Sequence, residues 1–381
     1  MDIKTFAVEE WMNTHEMEAV YNIAETCVDS LTVEELLELS GERERLLEKI
    51  LSTRLTYGFI PGTPRLRELL AGLYENAGKD NVLVTSGGIS ANFLALYTLV
   101  CPGDKVVCVA PTYQQLYSVP ESFGADVRLL QLRPEKAFLP DPEELERLAA
   151  DGLDLVVLNN PNNPTGALME ERHLKEIVGI AEKHDAWVLC DEAYRGLEHK
   201  IGSRVPSVVD LYEKAVATGS MSKVFSLAGL RLGWVCGPEN FIEDCFHHRD
   251  YTTISCGCID EILAVTALEN RERLLDRNRT IVKESIAIVD EWVKSEERID
   301  WVKPRAGTTA FLSYDYDIPS EEFCIGLFRM NGTFLVPGKC FDREYWLRIG
   351  YAYGRETLKK GLQGLSDWLR KLEAEGVGPR P

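Results

Sequence analysis

Four stretches of this 381-residue chain combine residue types and spacings that could do chemistry. In TGSMSKVFSLAGLRLGW (218–234), Lys223 stands among apolar residues, with Ser220 and Ser222 before it and Arg231 eight positions on. Burying an ammonium costs several kcal/mol unless it is paired or neutralised, so this lysine either faces water or enters covalent chemistry. In VLCDEAYRG, Asp191 ends an apolar run and Tyr194 follows three residues later. A carboxylate at the inner end of a strand needs a partner; a protonated nitrogen heterocycle would serve, as would a helix N-cap or an arginine. LNNPNNPTG (158–166) sets four asparagines and two prolines after another apolar run. That pattern builds a stiff turn, or a rigid polar loop able to hold a ligand oxygen. VLVTSGGISANFLALYTLV places a small-residue turn before an apolar-periodic helix, and free N–H groups at such a helix start suit a phosphate. Glycine there also serves the turn geometry alone.

These groups need a frame that brings them to one place. Between residues 80 and 240 seven valine- and leucine-rich runs recur: NVLVTS, DKVVCVAP, DVRLLQL, DLVVLNNP, AWVLCDEAY, AVATGS and LGWVCGP. Continuous apolar runs interleaved with helical periods predict an α/β fold with a seven-stranded, mostly parallel sheet covered on both faces. The chemistry-bearing turns directly follow the runs, where open α/β sheets bind ligands. Residues 1–50 read as helical and charged, with an N-cap at Ser30 or Thr32 and a glycine stop in SLTVEELLELSG. A long helical stretch is expected over about 257–297, then a β-rich tail (GTTAFLSYD, GTFLVPG, YWLRIGYA) and a last helix. The expected division is a large α/β domain, 45–275, and a smaller α+β domain built from 1–44 and 276–381.

Bulk properties exclude several classes. At 45% hydrophobic and 27% charged the chain is an ordinary globular protein, and its net charge of −19 argues against nucleic acid or anionic membrane as partner. The N-terminus lacks a basic region followed by an apolar one, and no apolar run approaches a membrane span, so a cytoplasmic location is expected. Ten cysteines without C-x-x-C pairs read as reduced thiols; SCGC (255–258), with no second pair, does not read as a metal site.

A phosphate turn, an asparagine, a buried carboxylate with a nearby tyrosine, and a lysine beside two serines and an arginine together suit pyridoxal 5′-phosphate. Its aldehyde forms a Schiff base with lysine and its ring nitrogen needs a carboxylate. In the same order, YGFIPGTPRLRELLA, TSGGISA, APTY, NNPNNPTG, CDEAY, SMSKVFSLAGLRLGW, VPGKCF and LRIGYA resemble the class I/II aminotransferases, fold-type I enzymes that use this cofactor. The resemblance runs through nearly the whole chain from residue 54. It implies that Lys223 forms the Schiff base and shuttles the substrate's proton, that Asp191 pairs with the ring nitrogen, and that Tyr194 and Asn163 bind the phenolic oxygen. Tyr113 would stack on the ring. Gly88, Ile89 and Ser90 would hold the phosphate with Ser220, Ser222 and Arg231. Arg348, with Asn163 beside it, would clamp the substrate carboxylate. Tyr57 matches the tyrosine that reaches the neighbouring subunit's phosphate, which implies a homodimer with shared active sites. No metal is implied.

The expected reaction is therefore amino transfer between an amino acid and a 2-oxo acid, with cationic neighbours lowering the Lys223 pKa after its release. β-Elimination, C–S lysis or cyclisation would use the same groups, and a non-catalytic cofactor-binding module is a third reading. The N-terminal region, NIAETCVDSLTVEELLELSG, lacks the glycine-containing L-x-x-G-x-P segment of many members and resembles the branch that includes capreomycidine synthase-like proteins.

Overall fold

A computed structural model of the chain describes residues 2–200 and 205–380. All seven apolar runs form strands of a single sheet, in the spatial order Val82–Thr85, Gly233–Cys236, Ala215–Ser220, Trp187–Asp191, Leu155–Asn159, Lys105–Ala110, Asp126–Gln131. The last five pair in parallel, while Gly233–Cys236 runs antiparallel between its two neighbours. The inner strands are buried on both faces, which is why their sequences are continuously apolar. Six strands point their carboxyl ends at one rim. The reversed strand starts there, with Gly233 paired to both Thr85 and Ser220, so Arg231 just before it arrives at the same edge.

The two ends of the chain build the remaining sheets. Strands Ile299–Trp301, Thr309–Tyr314, Val336–Pro337 and Trp346–Gly350 form an antiparallel sheet. Tyr21–Asn22 pairs in parallel with Thr333–Phe334, which joins the N-terminus to the C-terminal part. The capping expectation is met at Thr32: its hydroxyl accepts from the Glu35 N–H, Glu35 returns the bond, and Gly41 closes the helix Val33–Ser40 in the left-handed region.

Two helical readings need correction. The stretch 257–297 is two helices, Cys258–Glu269 and Arg271–Ser295, separated at Asn270, whose side chain turns back onto the Thr266 carbonyl. Within 1–50, residues 23–31 are extended rather than helical. Their backbone groups are taken by distant strands: Ile23 N–H donates to Phe334 O (2.9 Å), Gly350 N–H to Ile23 O (2.8 Å) and Asp29 N–H to Ala352 O (2.9 Å). Among the described residues no helix is long and apolar enough to cross a membrane.

Candidate active site

The rim holds the phosphate turn first. The helix Gly87–Leu99 begins directly after the strand Val82–Thr85, and its N-cap Ser86 makes no side-chain cap, which leaves the first N–H groups, including those of Gly88 and Ile89, without that partner. Gly87 sits at φ +83°, and a Cβ there would lie 2.8 Å from the Arg231 guanidinium, so the small residue lets the arginine reach the helix start. A Cβ on Gly88 would lie 3.0 Å from that of Ser220. Ser220 Oγ donates to Ser222 Oγ (2.9 Å) and accepts from the Ser222 N–H (3.0 Å). The Ser90 hydroxyl donates to Ser86 O (2.9 Å), and Ile89 O accepts from Gln115 (2.8 Å). Gly88, Ile89, Ser90, Ser220, Ser222 and Arg231 thus surround one small cradle.

Asp191 closes its strand, buried, with Asn159 and Thr218 as its cross-strand neighbours. Its Oδ2 accepts from Asn92 Nδ2 (2.7 Å) and its Oδ1 from the Ala193 N–H (2.9 Å). Neither partner is charged, and burial pushes its pKa above the ordinary carboxylate value. Asn92, whose Oδ1 also accepts from Thr218 (2.5 Å), escaped the sequence reading. The one available signal was an asparagine on the otherwise apolar helix after the glycine turn. The N-cap alternative for Asp191 is met only by the Ala193 contact, and no arginine pairs with it among the described residues.

Lys223 lies beyond the Ala215–Ser220 strand, its side chain 25% exposed. Its Nζ donates to Thr26 Oγ1 (2.6 Å), contacts Cys27 Sγ (3.4 Å) and lies 3.9 Å from Glu25 Oε1. The expectation of cationic neighbours that lower its pKa is not met. Burial alone would lower it, yet Cys27, Tyr194 and Glu25 together raise it above the ordinary lysine value. Burial lifts the Cys27 thiol to about 11, so Cys27 is neutral near pH 7 and Glu25 is the anion. The Glu25 carboxyl is lowered: burial opposes this, but Lys223 and the N–H groups of Cys27 and Thr26 outweigh it. These N-terminal residues were not singled out in the sequence, because nothing local marks an extended segment whose partners lie about 200 residues away.

Asn163 is buried in its asparagine-rich loop, its N–H held by Asn159 Oδ1 (2.7 Å). Its own Oδ1 accepts from Arg348 NH1 at 3.4 Å, which places the two together as the resemblance implied. Arg348 is 3% exposed; NH2 donates to Ala24 O (3.2 Å), while Nε has no partner among the described residues. Tyr194 is buried, and burial raises its pKa against the pull of Lys223 and a Thr26 hydrogen bond. Tyr113 stacks obliquely on Phe6 (4.8 Å, 56°) and donates to Glu9 Oε1 (3.1 Å), so the N-terminal helix Ala7–His15 covers this side. Tyr57 is 72% exposed.

The residues fit pyridoxal 5′-phosphate. A buried carboxylate held only by neutral donors, an unfilled guanidinium nitrogen, free helix N–H groups and a glycine cradle are each what one end of the cofactor or its substrate would satisfy. Among the described residues no group of three or more His, Cys, Asp or Glu is arranged to hold a metal ion.

Known proteins agree. The chain is 32% identical over 367 residues to capreomycidine synthase of Streptomyces vinaceus, covering 95% of this chain and 93% of that one. A solved PLP-dependent aminotransferase from Streptococcus suis 89-1591 superposes with a TM-score of 0.94 at 41% identity, over 97% and 99% of the two chains. The PLP-dependent cyclase OrfR superposes at 0.89 with 26% identity, over 97% and 98%. The profile of "Aminotransferase class I and II" matches residues 29–365, so the chain belongs to that family, is a fold-type I aminotransferase and takes pyridoxal 5′-phosphate as its cofactor.

Proposed function

We propose that the chain exchanges an amino group between an amino acid and a 2-oxo acid, with Lys223 as the residue that binds the cofactor covalently and carries the proton. The observation that supports this is that Lys223 and the Asp191 carboxylate, held by neutral donors, come to one rim, where Asn163 meets the half-satisfied guanidinium of Arg348. Bound cofactor supplies an electron sink for the pair left when the substrate Cα–H bond breaks. Gly88, Ile89 and Ser90 offer N–H groups to its phosphate, Ser220 and Ser222 offer hydroxyls, and Arg231 offers charge. Asp191 pairs with the ring nitrogen and keeps it protonated. Asn163 and Tyr194 donate to the phenolic oxygen, and Tyr113 covers the ring. Arg348 takes the substrate α-carboxylate in a two-pronged bond, with Asn163 fixing the fork. Substituting Lys223 with alanine should abolish both turnover and the covalent link to the cofactor; cofactor still fixed to the purified variant after borohydride reduction and denaturation would remove Lys223 from this role.

We also propose a homodimer that shares its sites. Leu51, Leu55, Tyr57, Phe59, Tyr97 and Tyr251 are more than half exposed. The segment carrying Leu55 to Phe59 is tied to the one carrying Tyr251 through Arg249, whose NH2 reaches both the Ile60 and Ile254 carbonyls. So much exposed apolar and aromatic surface favours a partner, and a second copy places Tyr57 near the other subunit's phosphate. Sedimentation should give twice the chain mass, and Tyr251→Glu should reduce it. The division at 45 and 275 is kept as a proposal, with helices Arg43–Ser52 and Arg271–Ser295 running across both boundaries. Ten free cysteines support a reducing, cytoplasmic setting.

The likeness to OrfR and to capreomycidine synthase favours one second reading, cyclisation on the same groups. Amino transfer consumes a 2-oxo acid for each turnover, so product formed without one would select the second reading.

A further inference from the structure

We propose that Thr26 and Glu25 form a dock for the Lys223 amine whenever it is released from the cofactor, which makes the N-terminal segment a positioning element of proton transfer. The inference rests on the assignment of Lys223 above and adds residues that lie outside every motif of the rim.

A released lysine must be held where it can take a proton from the substrate and return one. In that step the substrate Cα–H bond breaks, the proton joins the Nζ lone pair and the bonding electrons stay with the substrate, leaving an ammonium that needs acceptors. Thr26 Oγ1, 2.6 Å from Nζ, accepts one of its hydrogens, and the Glu25 carboxylate at 3.9 Å balances its charge. Both groups are themselves fixed. Glu25 Oε1 accepts from the N–H groups of Thr26 and Cys27, 2.7 Å each, and Thr26 O accepts from Thr308 Oγ1 (2.6 Å). Underneath, a Cβ added to Gly350 would overlap the Glu25 carbonyl, so the segment lies directly on the strand that carries Arg348. The dock is thus set by the same strand that presents the carboxylate clamp.

Other ionisable groups do not substitute for Glu25. Cys27 is a neutral thiol, Tyr194 is a buried neutral phenol, Asp191 faces Asn92 and the Ala193 N–H, and Glu16 is held by Asn22 (3.1 Å) and raised by burial.

The test uses the holoenzyme and O-methylhydroxylamine. This amine displaces Lys223 from the cofactor: one C=N bond breaks, another forms, and the two N–H protons of the probe join the imine proton on Nζ. The dock stabilises that released ammonium, so Thr26→Val and Glu25→Gln should each raise the probe concentration at half-displacement about tenfold, while Thr26→Ser should match the wild type. Half-displacement unchanged in both variants, or equally weakened in Thr26→Ser, would overturn the dock. Lys223→Ala separates the two readings: a borohydride-reducible covalent link to the cofactor surviving there breaks the lysine assignment, whereas its loss together with unaltered Thr26 and Glu25 variants breaks the dock alone.

Discussion

The rim of the large sheet and the N-terminal segment meet at Lys223, but they hold their side chains in opposite ways. At the rim the partners are close in sequence: Ser222 N–H with Ser220, Ala193 N–H with Asp191, Asn163 N–H with Asn159. Strand register then aligns these local turns, with Asn159 opposite Asp191 and Asp191 opposite Thr218. In the N-terminal segment the anchors are remote: Ala24 with Arg348 and Thr26 with Thr308, separations of 324 and 282 residues. Cofactor recognition therefore follows mainly from the sheet and the helix that starts at its rim, whereas the placement of the released lysine depends on the tertiary meeting of both chain ends. Damage to one should be separable from damage to the other.

Removing charge from the rim should have the largest effect. Asp191→Asn should lower kcat about 10³-fold, the scale seen when a preorganised charge is lost from an active site. The same variant should stabilise the cofactor-free protein at neutral pH. Burial raises the folded-state pKa of Asp191, so the folded protein binds more protons than the unfolded chain and loses stability as pH climbs from the ordinary carboxylate value through the raised one. Asparagine removes that loss. Urea unfolding at pH 4 and pH 8 should show the variant's advantage growing at the higher pH; an advantage equal at both would contradict the assigned cause.

Gly350→Ala strikes the other region. Its Cβ would overlap the Glu25 carbonyl, so the segment must shift, at roughly 1–3 kcal/mol of stability for overpacking. Turnover should fall while affinity for pyridoxal 5′-phosphate stays near that of the parent. Parallel loss of both would merge the two regions into one unit. Arg348→Lys should be milder. A point charge replaces a fork, so KM for the amino acid should rise about tenfold with kcat less affected.

What could be read from sequence follows the same divide. The seven strands were legible because burial on both faces demands continuous apolar runs, and the groups from Gly88 to Arg231 were legible because most lie at or just beyond a strand end, with Arg231 just before the reversed strand. Arg348 was found through the resemblance of LRIGYA, since periodicity alone would leave it a strand-edge arginine. Thr26, Glu25 and Asn92 were not found. Two of them sit in a segment whose local pattern suggested a helix, and tertiary backbone pairing with Phe334 and Gly350 overrode it. The third lies mid-helix, where an asparagine carries no local signal of the carboxylate it will meet. The anionic surroundings of Lys223 were misjudged for the same reason, as Glu25 reaches it only through the fold.

Asn92→Ala gives the smallest effect and the finest test of how the rim works. Asn92 stands on the helix that begins at the phosphate turn, donates to Asp191 and accepts from Thr218, so it ties the helix to two strand ends. Its hydrogen bond favours the ionised form of Asp191, and alanine removes that support, leaving the Ala193 N–H as donor. The carboxyl pKa should then rise further, and at neutral pH less of the protein would hold the carboxylate that meets the ring nitrogen. Affinity for pyridoxal 5′-phosphate should weaken about three- to tenfold, the size of one ordinary hydrogen bond. Because the loss acts through protonation, it should shrink as pH rises and Asp191 ionises in both proteins. A loss that stays constant with pH would mean that Asn92 serves only to space the helix from the strands, and that Asp191 is held ready by burial and the Ala193 N–H alone.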